Sequence, residues 1–177
     1  MIQLQLADPA ATDALGQLLA RTQPATAVVH LHGDLGAGKS SLARAWLRAL
    51  GVVGAIRSPT YTLVEHYPYA DARLPQGGKA LHLDLYRIGG PGELEFLALD
   101  DAAATLWLVE WPERGGDALP QADLRIGLSV APAGGRAASL QAGTPAGDDW
   151  VRRMPETPAY RALLTSTGRN IRQVTDL

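Results

Sequence analysis

The stretch Ala27-Val-Val-His-Leu-His-Gly-Asp-Leu-Gly-Ala-Gly-Lys-Ser40 decides the reading of the fold. Ala27 to Leu31 is apolar enough for a buried strand, and Gly33, Gly36 and Gly38 follow in a short loop. From Lys39 the apolar spacing becomes helical, with Leu42, Ala45, Trp46 and Ala49 as the inner face and Gly51 as the stop. Strand, glycine loop and helix open an α/β unit. The loop matches G-x-x-x-x-G-K-[ST] between the flanks that pattern requires. Its residue types answer a physical need. Across Gly33, Asp34, Leu35, Gly36, Ala37 and Gly38 the backbone can curl so that N–H groups face phosphate oxygens, an approach that extra Cβ atoms would obstruct. The helix that begins with Lys39, Ser40 and Ser41 adds its positive end. Lys39 supplies an ammonium for the β- and γ-phosphates, and the Ser40 hydroxyl is short enough to ligate Mg²⁺. All but two of the 16 cationic side chains are Arg, so the lysine kept in this loop asks for a reason.

Working outward, Ile2-Gln-Leu-Gln-Leu6 alternates like a half-buried strand, and Asp8-Pro9 reads as the cap and first position of a helix carrying Ala11, Ala14, Leu15, Leu18 and Leu19. Ser58-Pro59-Thr60 breaks the chain before the β-prone run Tyr61 to Tyr67, Ala70 to Gly78 reads as a hairpin tip, and Leu81 to Tyr86 reads as a strand. A short helix is expected from Glu93 to about Leu99, and Leu106-Trp-Leu-Val-Glu110 is the most apolar strand, expected near the centre. Glu113 to Gln121 reads as loop. Two last strands, Leu124 to Val130 and Ala137 to Leu140, flank a Gly134-Gly135 turn. After Gly143 regularity fades, apart from a short helix over Pro158 to Leu164.

Two of these strands end in acids that suit nucleotide chemistry. Asp84 and Glu110 each close an apolar run, and carboxylates at strand ends beside a phosphate loop face the crevice where open α/β sheets bind ligands. Isolated acids inside such runs are otherwise costly. Asp100 and Asp101 read as surface. Thr60 lies between the loop helix and the Asp84 strand, the place of a switch hydroxyl in GTPase-like chains; spacing alone favours a turn followed by a strand over a switch. His30 and His32 share a strand face, but two ligands do not complete a zinc site. No [NT]-K-x-D element is present, because Lys79 is followed by Ala80-Leu81, and this favours ATP over GTP.

Composition narrows the class. The chain has 177 residues, against about 150 for a typical domain, and a formal net charge of −2. That balance leaves no basic excess for strong stand-alone nucleic-acid binding. With no Cys, thiol catalysis and disulfides are excluded. No apolar run has the length of a membrane span, and the start lacks a secretion signal, so a cytoplasmic location is expected.

Three segments taken together resemble one family. They are His32 to Ser41, Ser58-Pro-Thr-Tyr-Thr-Leu-Val-Glu65 and His82-Leu-Asp-Leu-Tyr-Arg87, followed by Pro91-Gly-Glu-Leu-Glu95 and Val109-Glu-Trp-Pro-Glu113. Residues 1 to about 142 are similar in this order to the TsaE (YjeE) family, small ATPases needed to make threonylcarbamoyladenosine in tRNA. The resemblance implies a P-loop NTPase-like α/β fold, a three-layer sandwich around a central mixed sheet. It implies weak, Mg²⁺-dependent ATP hydrolysis and action with the proteins TsaB and TsaD, tRNA being met through that complex. Carried onto this chain, Lys39 holds phosphates, Ser40 and Glu110 ligate magnesium, Asp84 orients or activates water and Thr60 is the switch hydroxyl. Trp111 packs beside the site, and Thr12 and the Gly135-Arg136 turn lie near the nucleotide.

The chain departs from the family in two places. Ser40 stands where Thr is more frequent, which keeps the hydroxyl. Residues 143–177 extend beyond the family's usual length and carry five Arg, as a solvated extension or as an appendage that contacts a partner or tRNA. The alternatives are a small-molecule P-loop kinase, whose lid would have to be the short Glu113-Arg-Gly-Gly-Asp117, and a nucleotide-gated binding module with negligible turnover.

Overall fold

A computed structural model describes residues 1–97, 99, 103–166 and 171–173. Asp100 and Asp101 lie outside the described residues. In chain order the strands and α-helices are β1 (Ile2–Leu6), α1 (Pro9–Thr22), β2 (Ala27–His32), α2 (Lys39–Ala49), β3 (Val64–Tyr69), β4 (Gly78–Asp84), β5 (Leu106–Glu110), β6 (Leu124–Val130), β7 (Arg136–Ala142), α3 (Pro145–Arg153), α4 (Pro158–Ser166) and β8 (Ile171–Gln173). Among the described residues these strands form one mixed sheet in the order β3-β4-β5-β2-β6-β7-β1-β8. The four strands β4, β5, β2 and β6 run parallel, and the strands on either side pair antiparallel. β5 therefore lies between two parallel neighbours, as its unbroken apolar run requires.

Strand alternation sends side chains to two separate cores. One face of the sheet, with Leu4, Val29, Leu31, Leu108 and Ile126, packs under the helices. On the other face, among the described residues, Leu81, Leu83 and Val109 at the β4–β5 end meet Leu94 of a 3₁₀ segment, Pro91–Leu97, that stands in place of the expected helix.

α1 starts where its sequence says it should: Asp8 accepts a hydrogen bond from the Ala11 N–H at 2.8 Å and Pro9 occupies the first turn. α1 lies on α2 at a point where both backbones come close. A Cβ on Gly16 would sit 2.7 Å from the Ala45 Cβ, so no larger residue fits there. α2 is buried more widely than one face predicts, through Ala43 and Leu47 as well as Leu42, Ala45 and Trp46, while Ala49 is exposed.

The segment after Gly143 is more regular than its composition suggests. α3 is capped by Thr144, which accepts from the Gly147 N–H at 3.1 Å and donates to Asp123 Oδ1 at 2.6 Å. Asp123 Oδ2 in turn accepts from the Val28 N–H at 2.9 Å, tying the start of β2 to the start of α3. Trp150 is the anchor. It packs edge-on to Trp46 with ring centroids 6.0 Å apart, and its Nε1–H donates to Thr22 Oγ1 at 3.1 Å. α4 lies against α1, and β8 pairs with β1. By sequence the segment has five Arg and four acids, and among the described residues Arg152 pairs with Asp149.

Candidate nucleotide site

The parallel register of β2, β4 and β5 brings their carboxyl ends to one edge, with Leu31 opposite Glu110 and Glu110 opposite Asp84. The glycine loop leaves β2 at that same edge. Gly33 has φ +138°, and a Cβ there would lie 2.1 Å from the Leu128 carbonyl oxygen. Gly36 and Gly38 also take positive φ, 78° and 110°, and the Ala37 N–H between them donates to the Asp34 carbonyl at 3.1 Å, so the loop is tightly curled.

Lys39 is buried. Its Nζ donates to the carbonyls of Gly33 at 2.5 Å and Asp34 at 2.9 Å, and lies 4.0 Å from the centroid of the Trp111 ring. Burial pushes its pKa below the ordinary lysine value, while the nearby charges of Glu110 and Asp84 pull it back up. The Ser40 hydroxyl donates to Glu110 Oε2 at 2.8 Å, and Glu110 Oε1 is 2.8 Å from His82 Nε2. Asp84 Oδ2 accepts from Thr60 Oγ1 at 2.7 Å, and Oδ1 accepts from the Tyr86 N–H at 3.1 Å. Thr60 is held in turn by Ser58, their hydroxyls 2.9 Å apart. Lys39, Ser40, Thr60, Asp84 and Glu110 thus border one cleft of about 260 Å³, closed on one side by Trp111.

The other residues singled out in the sequence are placed as follows. Leu35, Gly36, Gly38 and Ser41 line the same cleft, Ala37 is buried behind it, and Asp34 is exposed. Thr12 and Arg136 line a neighbouring cavity of about 470 Å³ that shares Gly38 and Ser41 with the first. Arg136 braces the loop from outside: Nε donates to the Ala37 carbonyl at 2.9 Å and Nη2 to that of Gly36 at 3.1 Å. His30 and His32 stand apart, their rings 6.3 Å from each other and both Nε2 atoms shielded without a partner. Burial and the neighbouring His32 hold the His30 pKa down at about 4, and burial lowers that of His32 as well. No group of three or more His, Cys, Asp or Glu able to hold a metal occurs among the described residues. The lid-like Glu113–Asp117 segment forms two one-turn 3₁₀ pieces, Pro112–Arg114 and Gly116–Ala118.

These residues suit a phosphate-bound magnesium rather than a metal caged by protein alone. Ser40 and Glu110 offer two hard oxygens side by side, and Mg²⁺ in nucleotide sites takes one or two protein oxygens and fills its shell with phosphate and water. Sequence reasoning assigns no role to His82, nor to Arg44 and Arg48 of the second cavity. A signal for each existed. His82 shares its strand face with Asp84 two residues on, and Arg44 and Arg48 follow Ser40 at helical i+4 steps.

The likeness to known proteins runs through the same segments. Residues 6–137 match the family described as threonylcarbamoyl adenosine biosynthesis protein TsaE. A protein of Haemophilus influenzae named tRNA threonylcarbamoyladenosine biosynthesis protein TsaE is 45% identical over 57% of this chain and 61% of its own length. A Synechocystis protein of the same name is 42% identical over 66% of this chain and 71% of its own. The crystal structure of YdiB from Bacillus subtilis shares the fold, with a TM-score of 0.68 at 23% identity over 88% of this chain and 97% of that one. Since the matched residues run from the end of β1 through the glycine loop, Asp84 and Glu110 to β7, the chain belongs to the TsaE family.

Proposed function

We propose that this protein binds ATP with Mg²⁺, hydrolyses it slowly and acts with TsaB and TsaD in forming threonylcarbamoyladenosine in tRNA. The observation that carries the reading is the convergence of Lys39, Ser40, Asp84 and Glu110 on one cleft beside a glycine loop whose backbone is curled for phosphate. In this reading the loop N–H groups and the Lys39 ammonium take the triphosphate, and Trp111 shields the lysine from water. Ser40 and Glu110 would hold Mg²⁺, which when bound neutralises charge on the phosphate oxygens. Asp84 would orient the attacking water, with Thr60 as the hydroxyl that senses the γ-phosphate, since the two already share a hydrogen bond. The cavity bordered by Thr12 and Arg136 is left for the rest of the nucleotide.

Residues 1–142 would form the ATPase domain and 143–177 an extension to it. No helix among the described residues is long and apolar enough to cross a membrane. A cytoplasmic site of action, with tRNA reached through the partner proteins, belongs to the same proposal. The kinase alternative has less to stand on, because the family match concerns tRNA modification and the lid candidate is two single turns.

The test is phosphate release from ATP by the protein alone and with TsaB, TsaD and tRNA added. Release to water that rises with the complex supports the proposal. Indifference to the complex, together with phosphate transfer to a metabolite, replaces it with the kinase.

A further inference from the structure

β4 buries His82 fully, two residues before Asp84 and on the same face of the strand. The β4–β5 register sets His82 opposite Leu108 and Asp84 opposite Glu110, which makes His82 the diagonal neighbour of Glu110. The ring uses that placement: Nε2 is 2.8 Å from Glu110 Oε1, while Oε2 accepts from Ser40 at 2.8 Å. Glu110 is thereby held at both oxygens. A carboxylate only accepts, so the ring donates from Nε2. Nδ1 is shielded from solvent and has no partner, and a proton placed there would be an unsatisfied buried donor. The geometry therefore favours one neutral tautomer, with hydrogen on Nε2 and a bare Nδ1. Its neighbours Leu81 and Leu83 fill the opposite face with hydrocarbon and leave nothing unsatisfied. The histidine accepts an orphaned nitrogen and in return fixes a carboxylate.

We infer that His82 is a positioning residue for divalent-cation binding: it locks Glu110 so that Oε2 faces Ser40 and the two oxygens present a ready-made edge to Mg²⁺. The inference rests on the reading of Ser40 and Glu110 as the magnesium pair. It is a relation of the outer shell, of the kind whose loss weakens metal affinity by about 10–100-fold.

The experiment is a Mg²⁺ titration of the binding of a fluorescent ADP analogue to the wild type, His82→Asn and His82→Gln. The Gln amide reaches to the level of Nε2, whereas the Asn amide stops near Nδ1, and a general packing defect would affect both. The half-saturating Mg²⁺ concentration is expected to rise about tenfold in His82→Asn and to return most of the way in His82→Gln. Nucleotide affinity in EDTA should be the same in all three. Identical titrations for the wild type and His82→Asn overturn the inference, and so do equal shifts in the two variants. The wild type gives an answer that needs no variant. Imidazole ¹⁵N shifts should show a protonated Nε2 and a bare Nδ1 at His82, and the opposite tautomer overturns the inference. If nucleotide binding by the wild type ignores Mg²⁺, the cation reading of Ser40 and Glu110 fails and takes this inference with it. If the wild type responds to Mg²⁺ and His82→Asn follows the same curve, His82 alone is at fault.

Discussion

The nucleotide edge of the sheet and the segment after Gly143 are both built around buried side chains, but of opposite chemistry. At the edge, Lys39, His82, Asp84 and Glu110 are each no more than 4% exposed, and apart from the His82 Nδ1 they are held by one another, by Ser40 and Thr60 and by loop carbonyls. In the C-terminal segment the buried side chains include Trp150, Val151, Met154, Tyr160 and Leu163, in one core with α1 and Trp46. Burying charge is costly even when it is paired, and hydrocarbon of the same volume often serves stability as well or better. The polar edge is therefore explained by what it can bind, and the apolar segment by what it holds together. The difference predicts that substitutions in the two regions separate function from stability.

The largest effect should come from Lys39→Ala. Backbone amides alone cannot neutralise a triphosphate, so ATP binding or turnover should fall by about 10²-fold or more. The unfolding midpoint should move less than in a core deletion, because burial already costs the ammonium more than the charges of Glu110 and Asp84 return to it. Equilibrium nucleotide binding and urea unfolding on the same preparation check both halves. Full retention of binding and turnover would end the phosphate-loop reading.

Trp150→Ala should do the reverse. Deleting a fully buried indole from between α1 and α2 is expected to cost about 3–5 kcal/mol of unfolding free energy, seen in urea titrations. Nucleotide affinity should be unchanged at temperatures where the variant is folded. A stability loss under about 1 kcal/mol would show that the extension adds little to the domain beneath it.

What the sequence made legible divides along the same line. The glycine loop, Asp84 and Glu110 were readable because each is local: a motif between its flanks, or an acid that ends an apolar run. The partnership of His82 with Glu110 depends on a parallel register between strands 28 residues apart, which no local pattern carries. The run from Tyr61 looks like strand, yet β3 begins only at Val64. Before it the chain turns, with the Leu63 N–H donating to the Pro59 carbonyl at 2.7 Å and Leu63 itself at φ 65°, and this turn delivers Thr60 to Asp84. α3 was missed because Pro145, Gly147 and paired Asp residues make a poor isolated helix of nine residues; a Thr144 cap and the Trp150 contact stabilise it from outside.

Glu110→Ala sharpens the comparison within the polar edge. It should weaken Mg²⁺-dependent hydrolysis by about 10–100-fold and leave nucleotide binding in EDTA nearly intact, because the carboxylate faces Ser40 rather than the loop amides. Hydrolysis rates and binding measured across a Mg²⁺ series separate the two effects. An unchanged metal dependence would remove Glu110 from the cation site.

The smallest effect tests a third kind of group, a half-buried polar side chain that neither region uses. His30 sits on β2 among His32, Arg125 and the Pro120 carbonyl, and burial holds its pKa near 4 against an ordinary 6.5. The folded protein thus keeps the ring neutral at pH values where the unfolded chain already takes up a proton. With the folded pKa depressed, the contribution is complete above about pH 6.5 and is lost as pH falls from there toward 4. Water still reaches part of the ring, so the slope should be shallow. Urea midpoints for the wild type and His30→Gln between pH 7.5 and 4.5 isolate it, because carboxylate titration is common to both proteins and cancels in their difference. The wild type should lose stability over that interval faster than His30→Gln. Parallel curves would mean that the ring takes its proton in the folded state as readily as in the unfolded one, and that the shielding of its Nε2 carries no energetic weight.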